Sequence, residues 1–264
     1  MSPCPTTLTR PPLAGAVVYA DVTCPACYLA SLRTDLLLGA GLEAPQWRFV
    51  EHRPSVRTAA ITPDDETQAA RKRELAAVLG TVRPGEPFAD GALPHDVPRL
   101  LPSTGAAVTA YAEAANAGVG DVARRLLFGA YWLDGLDIGN LNLLRALLMG
   151  PLQHAVDQRH DRTRPRTEPA WRWRGPAEVV PWTGNVISIC GGAITAAGER
   201  LVRSWRAERA ALEAPACLTL VGADGEVLSG AAALDPLLLP DEHRAPVTTA
   251  TPEHVEEPPL AAAG

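Results

Sequence analysis

A Cys-Pro-Ala-Cys sequence at residues 24–27 constrains the fold more than any other feature of the chain. It follows residues 16–22, a short apolar stretch rich in β-branched side chains that predicts a buried central strand. It leads into residues 26–38, in which leucines recur at helical spacing. Pro25 suits the first turn of this helix because its missing N–H group would have no helical partner. The sequence therefore predicts strand, tight turn and helix, with Cys24 at the helix N-terminus.

This position favours a reactive thiol at Cys24. Unpaired N–H groups and the helix dipole stabilise negative charge at a helix N-terminus. A thiolate held there has a pKa between about 3.5 and 7.5, against about 8.5 for a free thiol. Cys27 lies one helical turn later and is placed to attack a mixed disulfide formed on Cys24. We predict Cys24 as the nucleophile and Cys27 as the resolving thiol.

Other interpretations of the cysteines remain open at this stage. A zinc site needs a second close pair or histidines at fixed spacing, and the sequence shows neither, so no metal site is predicted. The pair could also be two ordinary helical cysteines. Cys190 is predicted to be structural, and Cys4 lies in an N-terminal stretch predicted to be mobile. Cys217 is expected to be an inert thiol, with a place beside the pair as the alternative.

The segment from Asp21 to Leu29 resembles the DsbA-like thiol oxidoreductases, in particular their cytoplasmic FrnE-like branch. Kappa-class glutathione transferases and 2-hydroxychromene-2-carboxylate isomerases are relatives that usually carry serine where this chain has Cys24. The resemblance implies an α/β thioredoxin-like fold with an inserted α-helical domain. Because both cysteines are present, it implies disulfide chemistry.

On this basis the chain divides into four parts. Residues 14–56 and 186–239 are the two parts of the thioredoxin-like domain, residues 57–185 are the helical insertion, and residues 240–264 are a disordered acidic tail. Residues 45–51 predict a second strand, and residues 65–79, 103–117 and 195–212 predict helices. An aromatic stripe that includes Tyr131 and Trp132 is interpreted as packing.

A proline near the C-terminal strands is the third catalytic candidate. Pro215 is predicted to open a strand, which an Asp-Gly turn joins to a second strand in a hairpin. The resemblance implies that Pro215 is cis and faces the cysteine pair, where freed backbone groups would hold an extended substrate chain. Pro25, Ala26 and Ala214 are the predicted substrate-binding residues. An edge-strand proline without a role is the alternative.

Charge and composition exclude some partners. The chain has 24 basic and 30 acidic residues and a net charge of −6, which argues against a nucleic-acid surface or a polybasic membrane patch. An Arg- and Trp-containing segment, residues 150–185, could bind an anion, a nucleic acid or a protein, but a solvated insertion is favoured. The N-terminus shows no secretory signal, so a cytoplasmic location is expected.

Three functions are consistent with the sequence. The first is a cytosolic dithiol–disulfide oxidoreductase that acts on protein or small-molecule disulfides and thiols. The second is a glutathione-dependent isomerase or transferase on the same scaffold. The third is a non-catalytic protein that binds a partner. No cofactor is predicted, with glutathione an optional co-substrate, and the sequence predicts no oligomeric state.

Overall fold

A four-stranded sheet forms the centre of the fold. The computed structural model describes residues 13–52, 60–150, 154, 196–214 and 216–243. Its strands are β1 Val17–Ala20, β2 Gln46–Phe49, β3 Thr219–Val221 and β4 Val227–Ser229. They lie in the order β2-β1-β3-β4. β1 runs parallel to β2 and antiparallel to β3, and β3 and β4 form an antiparallel hairpin.

β1 lies in the interior of the sheet because it can be buried on both faces. Val18 and Ala20 are completely buried, and Tyr19 is nearly so. Val18 pairs with Trp47 of β2 on one side and with Leu220 of β3 on the other. Two parallel strands need a crossover connection, and helix α1 (Pro25–Gly39) provides it between β1 and β2. The predicted strand, turn and helix are all present.

The remaining helices lie mostly between β2 and β3 in the chain. Helix α2 begins and ends at the predicted residues, and the bounds of α3 and α5 lie within a few residues of the predicted ones. Residues 141–150 are also helical. No helix in the described ranges combines the length and the apolar character that a membrane crossing requires. The bounds are α2 Asp65–Leu79, α3 Gly105–Asn116, α4 Gly120–Trp132, α5 Ala196–Ala211, and the 3-10 helices Gly230–Leu237 and Asp241–His243.

Some predictions fall on residues that the structure does not describe. They concern Cys4, Cys190, the peptide-bond isomer of Pro215, most of the segment 150–185, and the tail after residue 243. The four domain boundaries stay a prediction.

The prediction that a strand begins at Pro215 is wrong. β3 begins at Thr219, and residues 216–217 form a bend. The cause is Arg209 of α5, whose Nη2 donates to the carbonyl oxygens of Ala214 at 2.9 Å and Ala216 at 2.6 Å. Thr219 Oγ1 donates to the same Ala216 oxygen at 3.3 Å. These hydrogen bonds engage carbonyl groups that strand pairing would otherwise use, so the strand begins only at Thr219.

Aromatic side chains join the helical region to the sheet. The ring of Phe128 in α4 lies 5.9 Å from Tyr28 of α1, 6.0 Å from Trp47 and 5.5 Å from Phe49 of β2, between ring centroids. Tyr111 of α3 stacks on Phe49 at 4.0 Å. All five residues are buried, and so are Tyr131 and Trp132 of the aromatic stripe that was interpreted as packing.

Two buried arginines fix α1 against its surroundings. Arg33 is 1% exposed and donates to the Glu86 carboxylate and to the carbonyl oxygens of Thr81 and Leu234. Arg124 of α4 is completely buried and pairs with Asp35 of α1 at 2.6 Å. Each guanidinium thus satisfies carbonyl or carboxylate groups of several elements at once.

Candidate functional site

The turn between β1 and α1 is held by the buried carboxylate of Asp21. Its Oδ1 accepts hydrogen bonds from the N–H and the Oγ1 of Thr23, both at 2.8 Å. Its Oδ2 accepts from the N–H of His52 at 2.7 Å and from Thr104 Oγ1 at 3.1 Å. Burial raises the pKa of Asp21, and the hydrogen bonds from His52 and Thr23 oppose that rise. Asp21 therefore ties the approach to Cys24 to the end of β2 and to the start of α3.

Trp132 supports the same turn from the other side. Its Nε1 donates to the carbonyl oxygen of Val22 at 2.8 Å, and its ring stacks on Tyr28 at 5.8 Å. The sequence noted Asp21 only through a resemblance and Trp132 only as packing. Both contribute to placing the cysteine pair, and no local pattern signals the contact between Trp132 and Val22 because 110 residues separate them.

Cys24 is the N-cap residue of α1, as predicted. Its backbone is extended, with φ −89° and ψ 125°, and its side chain makes no capping hydrogen bond to the helix backbone. The pKa of Cys24 is lowered well below that of an ordinary thiol. The main causes are the neighbouring side chains of Cys217 and Cys27, with the nearby backbone N–H groups of Cys27 and Ala26 adding to them against the effect of burial. Of the three sulfurs, Cys24 is the one whose surroundings favour the thiolate.

Cys27 is completely buried one turn along α1. Burial is the first cause that raises its pKa well above the ordinary value, and its contact with Cys24 adds to the rise. The protonated thiol form of Cys27 is therefore favoured. The opposite pKa shifts of the two sulfurs correspond to the predicted difference between an attacking and a resolving thiol.

Cys217 lies in the cluster, which the sequence treated only as the alternative. Its Sγ is 3.7 Å from Cys27 Sγ, and the sulfurs of Cys24, Cys27 and Cys217 all lie within 4.8 Å of one another. Its hydrogen bonds to Cys24 and Cys27 are the first causes that raise its pKa. Cys217 is partly exposed and its sulfur contacts that of Cys27, so its position is not that of an isolated core thiol.

Two cavities open beside Cys24 and Cys217. The smaller is bordered by Thr23, Pro25 and Trp132. The larger has an empty volume of about 580 Å³ and is bordered by Ala26, together with apolar residues of α2 and of the 3-10 helix Gly230–Leu237. Of the predicted substrate-binding residues, Pro25 and Ala26 thus border cavities at the thiol, whereas the Ala214 carbonyl accepts from Arg209.

Comparison with known proteins identifies the fold. No protein-family model and no curated protein matches the chain. The crystal structure of a probable DsbA oxidoreductase from Streptomyces coelicolor aligns with a TM-score of 0.50, covering 82% of this chain and 83% of that chain at 16% sequence identity. The chain shares the mixed α/β, thioredoxin-like fold of that structure. The predicted fold class is therefore confirmed.

Within this thioredoxin-like fold, the three sulfurs are the chemically distinctive feature of the described residues. A charged thiolate beside a protonated thiol can exchange disulfides, and a group of three sulfurs can also bind a soft metal ion. The sequence showed no third ligand for a metal because Cys217 is 190 residues from Cys27 in the chain. Only the fold brings it to the pair.

Proposed function

We propose that this protein is a cytoplasmic dithiol–disulfide oxidoreductase that uses Cys24 and Cys27. The observation that carries the proposal is the pairing of a thiol of lowered pKa at a helix N-terminus with a buried, protonated thiol one turn later. The fold shared with a probable DsbA oxidoreductase agrees with this chemistry. The odd number of cysteines, five, gives no support to a framework of structural disulfides.

The reaction consists of two thiol–disulfide exchanges. The Cys24 thiolate attacks a substrate disulfide, forms a mixed disulfide with one half and releases the other half as a thiolate. Cys27 then gives up its proton and attacks Cys24 Sγ, which breaks the mixed disulfide and releases the second substrate thiol. The protein ends with a Cys24–Cys27 disulfide, and two electrons have passed to the substrate. The reverse sequence oxidises a dithiol substrate.

The two cavities give the substrate access to Cys24. A protein segment or a small disulfide would occupy the larger cavity, with Ala26 beside the attacked sulfur. We retain Pro215 as the residue that holds an extended substrate chain, because its neighbours Ala216 and Cys217 border the same cavity. The acidic net charge of −6 disfavours nucleic acid and anionic membrane as partners.

Residue 26 also affects the direction of the reaction. A histidine at this position would add a charge-assisted donor to the Cys24 thiolate, and this chain has alanine. A less stabilised thiolate makes the disulfide form less oxidising. The pair is therefore expected to be a weaker oxidant than one with histidine at that position.

A glutathione-dependent isomerase or transferase is the second candidate. The observation that favours it is the apolar side of the larger cavity, formed by residues such as Val78, Leu218 and Leu234, which reaches Cys24. In this function Cys24 would activate glutathione and the cavity would hold an apolar substrate. Cys27 would have no chemical role.

A redox titration tests whether the pair forms a reversible disulfide. The full-length protein is equilibrated in mixtures of reduced and oxidised dithiothreitol, alkylated, and digested for peptide mass analysis. We expect one transition in which the peptide that contains Cys24 and Cys27 changes between an unalkylated disulfide and a doubly alkylated form, while Cys217 is alkylated throughout. The absence of any reversible Cys24–Cys27 disulfide would contradict the proposal and would favour a non-catalytic, partner-binding protein.

A further inference from the structure

Three cysteine sulfurs from two distant parts of the chain converge at one point. Cys24 and Cys27 come from the first turn of α1, and Cys217 comes from the bend before β3. Their Sγ atoms all lie within 4.8 Å of one another, and those of Cys27 and Cys217 are 3.7 Å apart. Disulfide exchange uses two of these sulfurs, so the third needs its own explanation.

The spacing of the sulfurs fits a shared metal ion. A thiolate sulfur lies about 2.3 Å from a bound zinc ion, so two sulfurs on one ion are about 3.8 Å apart at tetrahedral angles and about 4.0 Å apart at trigonal angles. The distance from Cys27 to Cys217 is close to these values without any rearrangement. Cys24, within 4.8 Å of both, needs only a small side-chain movement to complete the set.

The donor atoms favour a soft ion. Among the described residues, the metal-ligand group at this point contains only the three cysteines, without histidine, aspartate or glutamate. All-thiolate sites select soft ions such as Cu⁺ and Zn²⁺. Structural zinc prefers four protein ligands, whereas three thiolates complete a trigonal site for Cu⁺. The three-sulfur set is therefore better matched to Cu⁺.

The site is enclosed but has a path for entry. Cys27 is completely buried and Cys24 is 8% exposed, so a bound ion would be shielded from water on the α1 side. Both cavities are bordered by Cys24 and Cys217, which gives an ion access from that direction. An enclosed ligand set with an entry path is what a protein metal site requires.

We propose that reduced Cys24, Cys27 and Cys217 together bind one soft, thiophilic metal ion, with Cu⁺ as the best-matched ion. The ion displaces the thiol protons and offsets one of the three thiolate charges, with no change in oxidation state. A Cys24–Cys27 disulfide removes two of the three ligands. Metal binding and disulfide chemistry therefore exclude one another, and oxidation of the pair releases the ion.

Competition with a chromophoric chelator tests the site. Fully reduced, oxygen-free full-length protein is titrated into Cu⁺ bicinchoninate, and the loss of the chelator's absorbance gives the bound copper. We expect one Cu⁺ per chain in the reduced protein and none in protein whose Cys24–Cys27 pair has been oxidised. Changes around a metal site that leave the ligands in place already cost about 10- to 100-fold in affinity, so loss of a ligand in Cys217→Ser should cost at least about 100-fold.

A second variant provides the matched control. Replacing both Cys4 and Cys190 by serine also removes thiols but leaves the proposed ligands, so its Cu⁺ affinity should equal that of the wild type. Circular dichroism confirms that each variant is folded. Equal affinity in Cys217→Ser and wild type, loss of affinity in the control, or no binding by the reduced wild type would each overturn the proposal. If the reduced wild type binds no copper but still forms a reversible Cys24–Cys27 disulfide, the proposed metal site is overturned. The proposed oxidoreductase function then stands.

Discussion

Replacing Cys27 with serine is expected to stop disulfide turnover while Cys24 still captures substrate. The second exchange needs a thiol in contact with Cys24, and serine cannot form the new disulfide. Because the Cys217 sulfur also lies within 4.8 Å of that of Cys24, the variant is made in a Cys217→Ser background, with Cys217→Ser alone as its parent. With a chromogenic aromatic disulfide as substrate, the variant should release one thiol per chain and then stop. Mass analysis should show the other half of the substrate attached to Cys24.

This variant also separates the two candidate functions. An isomerase or transferase that activates glutathione at Cys24 would largely retain its activity in Cys27→Ser. The matched control is Cys4→Ser, which removes a cysteine outside the strand-turn-helix sequence and should turn over like the wild type. Continued multiple turnover by Cys27→Ser would show that Cys27 is not the resolving thiol.

Replacing Glu86 with alanine is expected to lower the free energy of unfolding by about 3–5 kcal/mol. The Glu86 carboxylate pairs with Arg33 at 2.7 Å, and both side chains are 1% exposed. The variant leaves the Arg33 guanidinium buried, with only the carbonyl oxygens of Thr81 and Leu234 as partners. A buried charge that loses its counter-ion is strongly destabilising. Urea unfolding followed by circular dichroism measures the difference.

An exposed ion pair provides the comparison for this effect. Lys72 and Asp96 are 2.9 Å apart, with side chains 52% and 59% exposed. Water and salt screen such a pair, so Asp96→Ala should change the free energy of unfolding by at most about 1 kcal/mol. Similar losses in Glu86→Ala and Asp96→Ala would show that the enclosure of Arg33 does not matter for stability.

The sequence predicted the elements whose signals are local. Strand β1 and helix α1 follow from an apolar stretch and a helical leucine pattern with proline in the first turn. Helix α2 has its predicted bounds because Asp64 accepts from the Thr67 N–H and acidic residues fill the first turn. Since Cys24 lies between β1 and α1, its place at a helix N-terminus was also predictable.

Features that depend on contacts between distant residues were not predictable. Arg209 holds the carbonyl groups of Ala214 and Ala216, so β3 begins later than the apolar pattern indicated. The same bend brings Cys217 to Cys27, which the sequence offered only as the alternative to an inert thiol, because no spacing rule joins residues so far apart in the chain. The sequence named the two cysteines of the pair, and the fold adds the third sulfur and the buried Asp21 that holds the turn.

The pH dependence of Cys24 alkylation tests the central claim most directly, namely that this sulfur is an activated thiolate. Iodoacetamide reacts with the thiolate, so the rate rises with pH until Cys24 is fully ionised. We expect a midpoint well below the free-thiol pKa of about 8.5, and a midpoint shifted to higher pH in Cys217→Ala because Cys217 no longer donates to Cys24. A wild-type midpoint at or above the free-thiol value would contradict the account.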